Sequence, residues 1–145
     1  MNNYAAQERA KWWPVPAELM AQYCDGSHTD KNWNGSLGWW QNDRHHRDGD
    51  LPAVIFAHGS LLWYQNGLIH RDGDKPAVIG AYGELGWWQN NQRHRICGPA
   101  VIYAKSKLEW WINGEEITQE VNEWLADEEW QGTPEQIERF QRRFK

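Results

Sequence analysis

The stretches HRDGDLPAVI, residues 46–55, and HRDGDKPAVI, residues 70–79, differ at one position and lie 24 residues apart. The match extends in both directions, to LGWWQNDRHHRDGDLPAVIFAHGS at 37–60 and LLWYQNGLIHRDGDKPAVIGAYGE at 61–84. A third copy, LGWWQNNQRHRICGPAVIYAKSK at 85–107, is one residue shorter, and a fourth, LEWWINGEEI at 108–117, stops after its first turn. Asn42, Asn66, Asn90 and Asn113 recur at one position, and His46, His70 and His94 follow the first three of them four residues later. A fixed period in this range marks stacked supersecondary units, each burying its apolar face only against its neighbours.

Each unit reads as two strands and two turns. The first strand is L-x-W-[WY]-[QI]-N, and Asn66-Gly67 and Asn113-Gly114 are hairpin signals, because a type I′ turn needs positive φ at both central residues. In the second turn, R-D-G-D-x-P, Asp and Gly suit a tight reversal stabilised by carboxylate-to-amide bonds, and Pro cannot donate to a ladder. The β-branched A-V-I run then ends at Gly59 or Gly83. These signals predict a mainly β fold, an antiparallel meander sheet of about four 24-residue units over residues 37–117.

Period-two alternation sorts the aromatic side chains by face. Leu37, Leu61, Leu85 and Leu108 share a face with Trp39, Trp63, Trp87 and Trp110, an apolar set that reads as core. Trp40, Tyr64, Trp88 and Trp111 point the other way, beside Gly38, Leu62, Gly86 and Glu109. This outer ladder either covers the glycines and stabilises the sheet, or forms a binding surface.

The chain of 145 residues fits a single domain, divided into a flank at 1–36, the repeats at 37–117 and a flank at 118–145. Both flanks carry helix signals. In PVPAELMAQYCDG, Pro16 suits a first turn and Gly26 follows the last, with Leu19, Met20 and Tyr23 on one stripe. Thr118 suits the cap of a helix burying Val121, Trp124 and Leu125. Thr133-Pro134-Glu135-Gln136 has the capping-box form and opens a helix with Ile137, Phe140 and Phe144 on one side. These helices are expected to cover a sheet face or its open edge, which otherwise invites pairing with a second copy of the chain.

Charge is uneven. Net charge is −1 over residues 1–36, +1 over 37–114 and −5 over 115–145. The near-neutral repeats therefore exert little pull on phosphate, and seven acidic groups without a basic one between Glu115 and Trp130 make a negative surface. Twelve tryptophans signal repeated aromatic packing or an aromatic recognition surface. Cys24 and Cys97 sit in unrelated contexts, consistent with free thiols in a reducing cytoplasm. The start MNNYAAQERAKWW has no basic stretch followed by an apolar core, and no run of apolar residues is long enough for a membrane span, so a cytoplasmic location is expected.

The pattern W-[WY]-x-N-G-x-x-H-R-x-x-G-P-A-V-I, ending in W-W-I-N-G-E-E-I-T and an acidic helix, resembles the divergent MORN-type repeats of tailed phages, giant viruses and some bacteria. The likeness covers residues 37–118. It implies a noncatalytic scaffold or binding protein. Bacterial relatives linked to toxin and antitoxin loci imply an antitoxin-like or immunity-like neutralising role, and a phage origin implies an inhibitor of a host enzyme or defence system acting in the host cytoplasm. The glycine pairs found late in each unit of the better-known MORN pattern are missing here, which counts against a lipid-binding role.

Catalytic signals are weak. His46-Arg47-Asp48 and His70-Arg71-Asp72 spell the HRD of a kinase loop without a phosphate-covering loop or DFG, and a catalytic loop has no reason to occur twice. Equivalent histidines two strands apart are too distant to share one zinc, and Asp48-Gly49-Asp50 supplies too few oxygens for calcium. No metal, cofactor or enzyme activity is expected. Trp40, Tyr64, Trp88 and Trp111 remain as candidate binding residues, together with His46, Arg47, His70, Arg71, His94 and Arg95. Those arginines either stack on neighbouring rings and pair with turn aspartates, or reach a partner. A protein partner is expected; a single-stranded nucleic acid or nucleotide is the alternative, disfavoured by charge.

Overall fold

The computed structural model describes residues 3–32 and 34–145. It is mainly β. Eight two-residue strands form an antiparallel meander in which spatial order follows chain order: Asp30–Lys31, Leu37–Gly38, Val54–Ile55, Leu61–Leu62, Val78–Ile79, Leu85–Gly86, Val101–Ile102 and Leu108–Glu109. Register places Leu61 opposite both Ile55 and Ile79, and Leu85 opposite both Ile79 and Ile102. One face of the sheet is therefore a row of alternating Leu and Ile, and its central members are buried.

The sheet starts earlier than the residue-37 boundary read from the sequence. In the Asn32–Ser36 turn, Asn32 N–H donates to the Ser36 carbonyl at 2.9 Å, as Phe56 N–H does to Ser60 at 2.9 Å, so Asp30–Lys31 occupies the place of Val54–Ile55. Two charged residues in an edge strand concealed it, because an edge needs no apolar face.

The first strand of each unit is also not continuous. It breaks at Trp39, Trp63, Trp87 and Trp110, which lie between strands. Trp39 N–H donates to the Ala53 carbonyl at 2.8 Å while the Trp39 carbonyl accepts from His46 N–H at 3.0 Å. The chain thus leaves the long sheet at each of these tryptophans and enters a separate two-stranded hairpin, Trp40–Gln41 with Arg44–His45, Tyr64–Gln65 with Leu68–Ile69, Trp88–Gln89 with Gln92–Arg93, and Trp111–Ile112 with Glu115–Glu116. All four turns have positive φ at both central residues, including Asn42-Asp43 (52° and 61°) and Asn90-Asn91 (50° and 70°), which lack glycine. Consecutive hairpins are joined: Gly67 N–H donates to the His45 carbonyl at 2.8 Å, Asn91 to Ile69 at 2.9 Å and Gly114 to Arg93 at 2.9 Å.

Four helices flank the sheet: α1 Tyr4–Ala10, α2 Ala17–Tyr23, α3 Thr118–Leu125 and α4 Pro134–Phe144. Helix α2 fits its sequence signal, with Pro16 before it and Tyr23 buried. Helix α1 carries no comparable sequence signal, and tertiary contacts hold it: Arg9 donates to the carbonyls of Gly83 at 3.0 Å and Tyr103 at 2.7 Å. Thr118 does not cap α3 as expected. Its hydroxyl accepts from Trp110 N–H at 3.0 Å and donates to Glu116, tying the helix start to the last segment. Thr133 does cap α4, accepting from Gln136 N–H at 3.1 Å. The Gln136 side chain turns instead to the N–H groups of Gln131 and Gly132. Phe140 is fully buried among Trp110, Trp130 and Phe144, so the C-terminal helices pack onto the last aromatic of the inner row.

Candidate functional site

The inner row comes first, because it fixes where the candidate arginines go. Arg47, Arg71 and Arg95 are only 6 %, 6 % and 5 % exposed. Each guanidinium lies over the ring of its own segment's inner tryptophan, 3.7 Å from Trp39, 3.8 Å from Trp63 and 3.8 Å from Trp87. Each also donates to the carbonyl of the proline that follows, Pro52, Pro76 or Pro99. The last partner lies upstream: Arg47 pairs with Asp25 of the N-terminal flank at 3.3 Å, and Arg71 and Arg95 pair with Asp50 and Asp74 of the preceding segments, each at 2.9 Å. Of the two readings of these arginines, the internal one describes their surroundings. They lock successive segments together through stacking and charge-assisted bonds.

The N-terminal helices seal this row. Arg95 also binds Glu8 at 3.0 Å and the Tyr4 hydroxyl at 3.3 Å, Trp12 lies over Arg71 at 5.5 Å, and the Tyr23 carbonyl accepts from Arg47 at 2.8 Å. Burial alone would raise the Glu8 carboxyl, and the neighbouring Arg95 and Lys11 outweigh it and hold it below the usual carboxylate range. Burial likewise opposes charge on Arg95, and Tyr4, Asp74 and Glu8 outweigh it, raising its pKa further.

The histidines are structural joints of a second kind. His46 Nδ1 accepts from Asn66 N–H at 3.0 Å, His70 Nδ1 from Asn90 at 3.2 Å and His94 Nδ1 from Asn113 at 2.9 Å. Each histidine therefore holds the first turn residue of the next hairpin. With Nδ1 accepting, the neutral ring carries its proton on Nε2. His46 and His70 direct Nε2 to Asp48 and Asp72, both at 2.7 Å. The second turn is thus held by side chains: its first aspartate takes a histidine and its second an arginine, in place of the carboxylate-to-amide bonds expected from the sequence.

Outside this scaffold, the hairpins present the expected second aromatic ladder, and it is longer than the sequence reading gave. The Trp40 ring lies 3.7 Å from His45, and His45 lies 5.0 Å from Tyr64. Further along, the Arg93 guanidinium sits between Trp88 at 5.3 Å and Trp111 at 5.0 Å. The cross-strand pairs Trp40–His45, Tyr64–Ile69, Trp88–Arg93 and Trp111–Glu116 thereby supply alternate members of one strip. His45, Ile69 and Arg93 were absent from the sequence-derived set. The signal for them was available: a two-residue turn at 42–43 places residue 40 opposite 45, and the same offset applies in every segment.

Trp40 is the open end of this strip, 41 % exposed, while Tyr64, Trp88 and Trp111 are half-buried. The Trp40 and Trp88 rings lie over Gly38 and Gly86, where an added Cβ would meet the indole nitrogens at 3.2 Å and 3.0 Å. Trp111 instead donates to the Glu109 carboxylate at 3.1 Å. At the far end, Glu116 joins Glu120 and Glu123 around an open depression on α3. Among the described residues, no three His, Cys, Asp or Glu side chains converge as a metal site, and no helix is long and apolar enough to cross a membrane. Cys24 and Cys97 are free thiols.

No protein-family model matches the chain, and searches of curated proteins and of solved structures find no match.

Proposed function

We propose that the chain is a noncatalytic protein-binding module, built from four divergent MORN-type units with the last one truncated, and that its recognition surface is the outer strip from Trp40 to Trp111. The observation that carries this reading is the division of labour between the two aromatic rows. The inner tryptophans are buried under stacked arginines, and most histidine nitrogens are committed to internal bonds, whereas the outer side chains form two stacked groups, Trp40–His45–Tyr64 and Trp88–Arg93–Trp111, with Trp40 open to solvent. Stacked aromatic rings with an arginine among them are the side chains that dominate protein recognition. The strip ends against Glu116 and the acidic face of α3, so the partner surface it fits is apolar with a basic margin. The role we assign is neutralisation of that partner by occupation, as an inhibitor or an antitoxin-like protein. A nucleic-acid reading has less support, because the buried guanidinium groups of Arg47, Arg71 and Arg95 have no free face to offer a phosphate.

The test compares Trp40→Ala with Tyr82→Ala. Tyr82 is 79 % exposed but lies in the 80–83 turn, away from the hairpins. Both variants should keep the wild-type circular dichroism spectrum and melting temperature to within a few degrees. Protein capture from the native host, read by quantitative mass spectrometry, should lose a specific partner with Trp40→Ala alone. Equal capture by wild type and Trp40→Ala would remove the strip as the recognition surface.

A further inference from the structure

The three complete segments share the arginine-to-proline-carbonyl and histidine-to-asparagine bonds, and the third lacks two bonds that the first two make. In the first segment Trp39 Nε1 donates to Ser27 Oγ at 3.0 Å, and in the second Trp63 Nε1 donates to the Asp50 carbonyl at 3.2 Å. In the third, Trp87 Nε1 is buried without a hydrogen-bond partner. The histidines show the same difference. His46 and His70 give Nε2 to an aspartate two residues on, but residue 96 is Ile, so His94 has no such acceptor. Its tautomer is still set by Asn113 N–H on Nδ1, which leaves the proton on Nε2.

Trp87 and His94 both line one cleft of about 240 Å³, with Asp74, Gln89, Arg95, Ile96 and Cys97. The turn here, RICGP, is a residue shorter than RDGDLP, and Ile and Cys replace the two residues that follow Arg in the other segments. A buried donor with no partner costs roughly 1–3 kcal/mol, and two segments of this chain show how the sequence avoids that cost. We propose that this cleft is a binding site for a neutral hydrogen-bond acceptor, an amide carbonyl on a body the size of one peptide unit.

Three features choose that chemistry. Trp87 and His94 both line the cleft and each carries an N–H left without the acceptor its counterparts have, and one carbonyl oxygen has two lone pairs to receive them. Charge argues against a carboxylate: Arg95 is already shared between Asp74 at 2.9 Å and Glu8 at 3.0 Å, so an incoming anion would sit beside Asp74 without a free guanidinium. Size argues against a larger ligand, since sites for drug-sized molecules run from roughly 300 to 1,000 Å³. Burial lowers the His94 pKa, which keeps the ring in the neutral form this contact needs. The site stands independently of the protein-binding reading of the outer strip.

The experiment follows the indole N–H signals by ¹H–¹⁵N NMR in the full chain, with the Trp87 resonance assigned by its loss in Trp87→Phe. The probes are N-acetylalanine methylamide, N-methylacetamide and acetate. Either amide should move the Trp87 indole signal saturably while the Trp63 signal, already bonded to Asp50, stays in place. Saturation by the blocked alanine alone identifies a peptide unit as the ligand, and saturation by both identifies any small amide. Ile96→Asp restores the aspartate that the first two segments carry, so it should keep the fold and weaken binding about tenfold, the loss of one hydrogen bond. A drift shared by Trp63 and Trp87 without saturation, preference for acetate, or full binding by Ile96→Asp would each overturn the proposal.

Discussion

The guanidinium carbon of Arg71 lies 3.8 Å from the centre of the Trp63 ring, and the same guanidinium binds Asp50 of the preceding segment and the carbonyl of Pro76 in its own. One side chain therefore joins the inner face of a segment, its second turn and its neighbour. Arg71→Met should cost about 2–4 kcal/mol, the sum of a desolvated cation–π contact and a buried carbonyl left without a donor. Asp50→Asn should cost less, about 1–2 kcal/mol, because the carboxylate is 41 % exposed and the amide oxygen still accepts. Arg71→Lys should recover less than half of the loss, since an ammonium has neither the plane to stack nor the fork to reach both partners. Urea unfolding monitored by Trp fluorescence gives all three values, and equal costs for Asp50→Asn and Arg71→Met would show that charge pairing, not stacking, holds the joint.

The hairpin turns contain an internal comparison of their own. Asn42-Asp43 adopts the same left-handed pair of conformations as Asn66-Gly67, with φ of 61° at Asp43 against 81° at Gly67. A left-handed non-glycine residue is strained by roughly 1 kcal/mol. Asp43→Gly should therefore raise stability by about 0.5–1 kcal/mol. Asn91→Gly should gain nothing, because the Asn91 carboxamide oxygen accepts from Ile69 N–H at 3.2 Å and that bond would be lost. Melting temperatures of the two single variants separate these cases.

The residues that made the fold legible are those whose role is local. Asn66-Gly67 fixes a hairpin through backbone conformation alone, and Leu61 with Trp63 declares the inner face by spacing alone. Asp30–Lys31 was hidden because an edge strand with two exposed residues has no apolar pattern. The arginines were legible in type but not in direction. A His-Arg pair beside aromatic rings fits a binding surface as well as an internal lock, and only the 21-residue reach from Arg71 to Asp50 decides between them. Helix α1 was missed for a related reason: Tyr4, Glu8 and Arg9 find their partners at Arg95, Gly83 and Tyr103, far along the chain.

Acid should loosen the chain in two stages. Burial depresses the His94 pKa below its ordinary 6.5, so the stability its neutral ring contributes is complete above that value and is lost as pH falls through the depressed folded-state pKa. Glu8, held below its ordinary 4.5, contributes stability that is present above about pH 4.5 and disappears at lower pH. Protonating His94 Nδ1 removes the acceptor for Asn113 N–H, so the first stage should appear at the last hairpin. His94→Asn should lower stability at pH 7 and flatten its fall between pH 7 and 5. Amide exchange at Asn113, measured by NMR across that range, should quicken in the wild type before the global melting temperature falls. Exchange that quickens only with global unfolding would remove the first stage.

The outer strip shows a size exchange between paired positions. Trp40 and Trp88 stand over Gly38 and Gly86, whereas the second segment pairs the larger Leu62 with the smaller Tyr64. An added Cβ at Gly86 would meet Trp88 Nε1 at 3.0 Å, so any larger residue there must displace the indole. Gly86→Leu alone should therefore cost about 1–3 kcal/mol by overpacking. Adding Trp88→Tyr copies the 62/64 pair, and the double variant should recover at least half of that loss, giving a coupling energy of about 1 kcal/mol in a double-mutant cycle. The fluorescence of Gly86→Leu should shift red as Trp88 moves into solvent. Additive costs would mean that the glycines and the rings above them are independent, and that the strip takes its position from the hairpins alone.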